Sequence, residues 1–201
     1  MDVFLDDHIF ETDATDLGRI LDQAKEALSD SGRIVVEVRF DDQVADAETL
    51  QKARSSLPDA EELRLISADP ARLCAQALEQ ADACLGQVLE HFASASELIH
   101  EDRTAEAMQR IGHGLGQWRQ IIAAVTQSAA MLGLDLKTIQ GGDLSAEQLI
   151  TQMAQQLRTT QQHLLDRDHI GLADVLGYEW DQTVERWRQL IRKLIEQTQT
   201  P

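Results

Sequence analysis

Glu97 and His100 stand three residues apart, and Asp166 and His169 repeat the step. Residues three apart share a helix face, so each step presents a carboxylate and an imidazole together. Helical bundles hold paired iron ions with this spacing, but they also draw a carboxylate from each of two further helices. The apolar stripes of the two helices that would supply them carry no acidic residue, and both steps sit beside breaks in the helical pattern. Solvated, charged helix ends are the reading these residues favour. Glu97, His100, Asp166 and His169 stay as the alternative metal ligands, and no cofactor is expected.

Gly112-His113-Gly114-Leu115-Gly116 has the look of a phosphate-cradling loop. It lacks Gly-x-Gly-x-x-Gly and Gly-Lys-Ser/Thr, and no strand precedes it. It also lies inside a regular helical stripe, where each glycine costs about 1 kcal/mol, so the expected role is close approach by a neighbouring helix. The six histidines (8, 91, 100, 113, 163, 169) show no His-x-x-x-His spacing, and no local motif marks a nucleophile. The residues therefore point away from an enzyme.

Charge narrows the partners. With 18 basic and 35 acidic residues the net charge is −17, and both halves share the acidity. Nucleic acid and anionic membrane surfaces need a basic footprint that is missing here, so neither is expected as a partner. No run of 18 apolar residues is present, and Met1-Asp2-Val3-Phe4-Leu5-Asp6-Asp7 does not resemble a signal peptide. Cys74 and Cys84 lie ten residues, roughly 15 Å, apart on one expected helix, too far to pair. Free thiols without an export signal suggest the cytoplasm.

These side chains are positioned by two kinds of element. Residues 1–67 read as a small α+β domain. Val3–Leu5 and Ile9-Phe10 flank a turn, and Leu17, Ile20, Leu21, Ala24, Ala27 and Leu28 mark one helix face, capped by Thr15 or Asp13 and closed by Gly32. Residues 33–40 alternate, with Ile34, Val36, Val38 and Phe40 on the buried face and Arg33, Val35, Glu37 and Arg39 on the wet one. Val35 and Glu37 are accordingly candidate partner contacts. A short strand at 43–44, a short helix near 47–54 and a strand at 63–66 complete the domain. This order resembles the ubiquitin-like β-grasp domains, which implies one helix across a mixed sheet. The diglycine tail of conjugated modifiers and the cysteines of β-grasp ferredoxins are missing. A ferredoxin-like sandwich, the runner-up, needs a longer second helix.

Residues 68–201 read as an antiparallel four-helix bundle. Asp69-Pro70 starts the first helix, whose stripe runs from Leu73 to Ile99. Met108, Ile111, Leu115, Trp118, Ile122, Val125, Ala129 and Leu132 step by alternating threes and fours in the second. A loop covers 133–144, and Ser145 with Gln148 forms a capping box for the third helix. Its stripe is Leu149, Met153, Leu157, Thr160 and Leu164, and its other face is rich in glutamine, read as solvated. The fourth carries Ala173, Leu176, Trp180, Val184, Trp187, Ile191 and Leu194. Tyr178 falls off that stripe and is a third candidate contact. Leu172-Ala173-Asp174-Val175-Leu176-Gly177-Tyr178-Glu179-Trp180, with Glu185-Arg186-Trp187 beyond it, resembles a pattern of uncharacterised bacterial helical proteins.

The expectation is a non-enzymatic protein-interaction module, an adaptor or chaperone-like bundle with a protein partner. It would bind by strand addition at a sheet edge or by a helix in a groove. The broad stripe of the second helix also suits a homodimer. A metal- or small-molecule-binding bundle enzyme is the alternative.

Overall fold

A computed structural model of the chain describes residues 1–199. It is an α+β protein with an N-terminal mixed sheet and a helical C-terminal region, and its contacts form two compact units, Met1–Leu73 and Cys74–Pro201. Among the described residues no helix is long and apolar enough to cross a membrane.

The first unit runs β1 (Asp2–Leu5), β2 (His8–Ile9), α1 (Leu17–Leu28), a 3-10 turn, β3 (Ile34–Phe40), β4 (Gln43–Val44), α2 (Ala47–Ala53) and β5 (Glu62–Ala68). The strands lie in the order β2-β1-β5-β3-β4, with β1 and β5 parallel and the other pairs antiparallel. Leu17, Ile20 and Ala24 of α1 are buried in one core with Val3, Val38, Phe40, Leu63 and Leu65. The cap of α1 is Asp16 rather than Thr15 or Asp13. Its carboxylate accepts from Arg19 N at 2.9 Å, because only the residue directly before Leu17 reaches that amide. Gly32, at φ 65°, ends the 3-10 turn in the left-handed conformation that glycine adopts freely.

The alternation expected along β3 fails at its start. Val35 pairs with Ser67 but Glu37 pairs with Ile66, so Val36 is an extra residue opposite β5. One inserted residue reverses the side of everything before it. Val35 consequently packs against the core, while Ile34 and Val36 are 37% and 45% exposed. At the neighbouring corner the Asp6 carboxylate accepts from Ser67 N at 2.7 Å and from Ser67 Oγ at 2.8 Å. Arg33 donates to Ser67 Oγ and O. Burial alone would raise the pKa of Asp6. The Ser67 hydrogen bonds, with Arg33 and His8 nearby, instead hold it below the ordinary carboxylate value.

The second unit begins within α3 (Pro70–His100) and continues through α4 (Thr104–Met131), β6 (Gln140–Gly141), β7 (Leu144–Ser145), α5 (Ala146–Asp166), α6 (His169–Asp174), a π-helical turn (Val175–Glu179) and α7 (Trp180–Thr198). Asp69 caps α3, accepting from Ala71 N, and Ser145 with Gln148 forms both bonds of a capping box on α5. The stretch expected as one fourth helix is thus two α-helices joined through a π-turn. The expected loop at 133–144 contains a small hairpin, whose Gly141 lies so close to α7 that a Cβ there would be 2.6 Å from Arg186 O.

Contacts set the helix directions. Cys74 meets Ser128 and Phe92 meets Gly114, so α4 runs against α3. Arg188 reaches Asp82, Trp180 stacks on Phe92 and Ser96 bonds Ala173, so α6 and α7 also run against α3. Gln152 meets Arg186 and Gln156 meets Thr183, which sets α5 against α7. The core between them centres on Phe92, Trp118, Trp180 and Trp187, all at most 1% exposed. Each such side chain contributes upwards of about 1.5–3 kcal/mol by leaving water, so this cluster dominates the packing of the unit.

Candidate functional site

Beside the buried stripe of α5 runs a line of amides and a hydroxyl: Gln148, Gln152, Gln155 and Thr159 recur at steps of four, three and four. That spacing draws a polar line along one helix face. Across from it, the π-turn and the first turns of α7 supply Tyr178, Glu179, Gln182, Thr183 and Arg186. The gap between the two walls comprises cavities of about 490 and 720 Å³ that share Gln152 and Gln155, and so form one groove.

Gln156 holds the walls together. Its Nε2 donates to Glu179 O at 3.2 Å, and its Oε1 accepts from Thr183 Oγ1 at 2.9 Å. Thr183 is buried, so the second of these bonds is partly shielded from water while the first is exposed. Arg186 is held at 3.3 Å from Asp143, in the turn of the hairpin. Tyr178 is 80% exposed, and among the described residues neither its hydroxyl nor the Gln182 amide has a hydrogen-bond partner.

The π-turn presents Tyr178. A π-turn carries more residues per turn than an α-helix and tends to occur where a side chain must be re-aimed for function. Ser96 of α3, itself buried, donates to Ala173 O at 2.9 Å just before the turn, and Gly177 lets the turn lie close to Ser96. The turn is therefore anchored from the core side while Tyr178 faces water.

The other candidates are placed differently. Glu97, His100, Asp166 and His169 are all exposed, and among the described residues no group of three or more His, Cys, Asp or Glu side chains is gathered to hold a metal ion. Glu97 borders a cavity of about 520 Å³ with Arg103, whose guanidinium is taken up by Glu101 and Glu106 at 2.9 and 2.6 Å. Asp166 accepts from Gln162, and His169 opens α6 behind its cap Asp168. Hydrogen bonds from Gly171 N and His163 lower the pKa of Asp168, so this segment's carboxylates serve helix ends.

Of the glycine run only Gly114 is buried, and the Phe92 ring fills the space above it. Val35, expected as a wet-face contact, is turned inward by the bulge and is corrected to a core position. Glu37 stays on the outer side, paired with Arg39 at 2.5 Å. Of the three contact candidates, Tyr178 lines the groove between α5 and α7. The glutamines beside it form a line in the sequence, and the short turn between the third and fourth helices places α7 next to α5, but that face by itself reads as solvated.

No curated protein and no solved structure matches the chain. The family model described as a domain of unknown function (DUF8042) matches residues 76–190, more than half of the chain, which therefore belongs to that family.

Proposed function

We propose that the chain is a non-enzymatic protein-interaction module, adaptor-like or chaperone-like, whose partner docks in the groove between α5 and α7. One observation carries this reading: amides and hydroxyls make up most of the groove's lining, beside Glu147, Glu179 and Arg186, and the Tyr178 hydroxyl and the Gln182 amide are left unpaired. Such groups recognise hydrogen-bonding surfaces. The reading takes residues 1–67 as a β-grasp-like domain and 68–201 as an antiparallel four-helix bundle. The strand order with its parallel β1–β5 pair supports the first, and the alternating directions of α3, α4, α5 and α7 support the second. Strand addition is the weaker route, because both edge strands, β2 and β4, are only two residues long.

Affinity capture from the source cells tests this, with the wild-type chain and a Tyr178→Ala/Gln182→Ala variant as paired baits. A protein retained by the first and lost by the second supports the reading. Equal retention puts the binding surface elsewhere, and capture of nothing above background by either bait refutes it. Sedimentation of both baits alone distinguishes a second copy of the chain from a different partner.

A further inference from the structure

We propose that the occupant of this groove is an extended peptide segment, bound through its backbone and flanked by basic side chains. The proposal rests on the interaction reading above and specifies its partner.

Length comes first. From Glu147 to Thr159 the α5 wall is about 18 Å long at 1.5 Å per residue. An extended chain at roughly 3.3 Å per residue covers that distance with about five or six residues. The shared lining at Gln152 and Gln155 makes the path continuous.

Chemistry selects the backbone. The Nε2 groups of Gln148, Gln152 and Gln155 remain as donors while their Oε1 atoms accept from Ser145 N, Arg186 and Arg158, and each residue of an extended peptide offers one N–H and one C=O. A helical partner has already paired those groups internally, so it would meet the amides only with side chains. Gln156 is committed to Glu179 and Thr183, while Gln182 and Tyr178 have no partner among the described residues. The groove thus contains a fixed floor and free hydrogen-bonding groups at its rim.

Charge sets the flanks. Glu179 borders the groove and Asp181 lies on the same stretch of α7, while Arg186 is neutralised by Asp143, and Glu147 and Glu185 are paired with Lys137 and Arg188. With a net charge of −17 behind them, Glu179 and Asp181 favour Lys or Arg at the peptide's ends.

The test uses the full chain. Random heptapeptides flanked by Lys-Lys are selected by display against it, and the recovered peptides are titrated by fluorescence anisotropy. The expected result is saturable binding that falls at least tenfold with Tyr178→Ala/Gln182→Ala and at least tenfold when the central residues are N-methylated. Raising the salt from 50 to 500 mM should also weaken it. Unchanged far-UV circular dichroism and tryptophan fluorescence show that the variant is folded. Equal affinity of the N-methylated peptides overturns the proposal, as does equal binding to the variant. Failure of every peptide, with a folded protein or a glycan bound in a Tyr178-dependent way, also overturns it. If the captured partner still depends on Tyr178 while the peptides fail, only the extended-peptide inference is lost. Loss of both removes the interaction reading too.

Discussion

Replacing Gly112, Gly114 and Gly116 one at a time with alanine separates packing from helix propensity within five residues of α4. In an exposed helix interior the change gains about 1 kcal/mol. An added Cβ meets nothing within 4 Å at Gly112 or Gly116, so both variants should be stabilised by up to that amount. At Gly114 the Cβ would stand 2.5 Å from Phe92 Cε1, well inside the roughly 3.5–4.0 Å of carbon contact. Phe92 is fully buried with its centroid 4.5 Å from that of Trp180, so the ring has little room to retreat. Overpacking of this kind costs about 1–3 kcal/mol. Set against the same propensity gain, Gly114→Ala should range from neutral to about 2 kcal/mol destabilised, and fall about 1–3 kcal/mol below Gly112→Ala. Urea unfolding followed by tryptophan fluorescence measures this cleanly, because Trp118, Trp180 and Trp187 all belong to the helical unit. Relief of the penalty by Phe92→Leu in a double-mutant cycle would tie it to the ring. If Gly114→Ala is as stable as Gly112→Ala, the claim that Phe92 occupies the notch is wrong.

Three further outcomes are expected. Asp102 and Arg167 hold φ values of 58° and 55°, which an L side chain adopts at a cost of about 1–2 kcal/mol. After the entropy of a freer unfolded chain is subtracted, either change to glycine should stabilise by about 0.5–1 kcal/mol, measured as a higher midpoint in the same unfolding assay. Gly141→Ala should destabilise the helical unit by about 1–3 kcal/mol, since its Cβ would press on the Arg186 carbonyl and Leu190; an unchanged midpoint would show that the hairpin can lift from α7. The carboxyl of Asp6 should titrate below the usual aspartate value by NMR, with the Ser67 amide following it. Its folded pKa is depressed, so its stabilisation is complete above the ordinary carboxylate range and disappears as pH falls through the lowered value. Asp6→Asn should remove that part of the pH dependence, which hydrogen exchange in the first unit would detect.

Local chemistry made most of the elements legible. Asp69-Pro70 and the Ser145–Gln148 box announced two helix starts, and both caps form as read. Features decided by a distant neighbour were not legible. Ile34, Val36, Val38 and Phe40 alternate without interruption, and only pairing with β5 inserts the bulge that turns Val35 inward. The spacing of the second-helix stripe places Leu115 inside, yet the buried position at that turn is Gly114. A glycine has no hydrophobicity to mark it, and it becomes interior only because Phe92 rests on it. The π-turn was hidden because Leu172 to Trp180 suits a continuous helix equally well. The glutamine line on α5 was visible as a polar face, and polarity alone does not tell a solvated face from one wall of a groove.

The groove lies within the stretch that the family model matches, as does the cavity beside Glu97 and Arg103. A property shared by the family has to be carried within residues 76–190, the stretch that its model matches. Both walls of the groove, Glu147–Thr159 and Tyr178–Arg186, lie inside that stretch, and so do the Ser96 hydroxyl and the Ala173 carbonyl that anchor the π-turn. The five-stranded sheet, with its exposed Ile34 and Val36, lies outside it. A helix gives up regular hydrogen bonding to make a π-turn, and here the return for that loss is one large side chain, Tyr178, directed to solvent. Burying Tyr178 would serve packing. It is instead 80% exposed beside the unpaired Gln182 amide, and the proposed docking reading rests on that exposure.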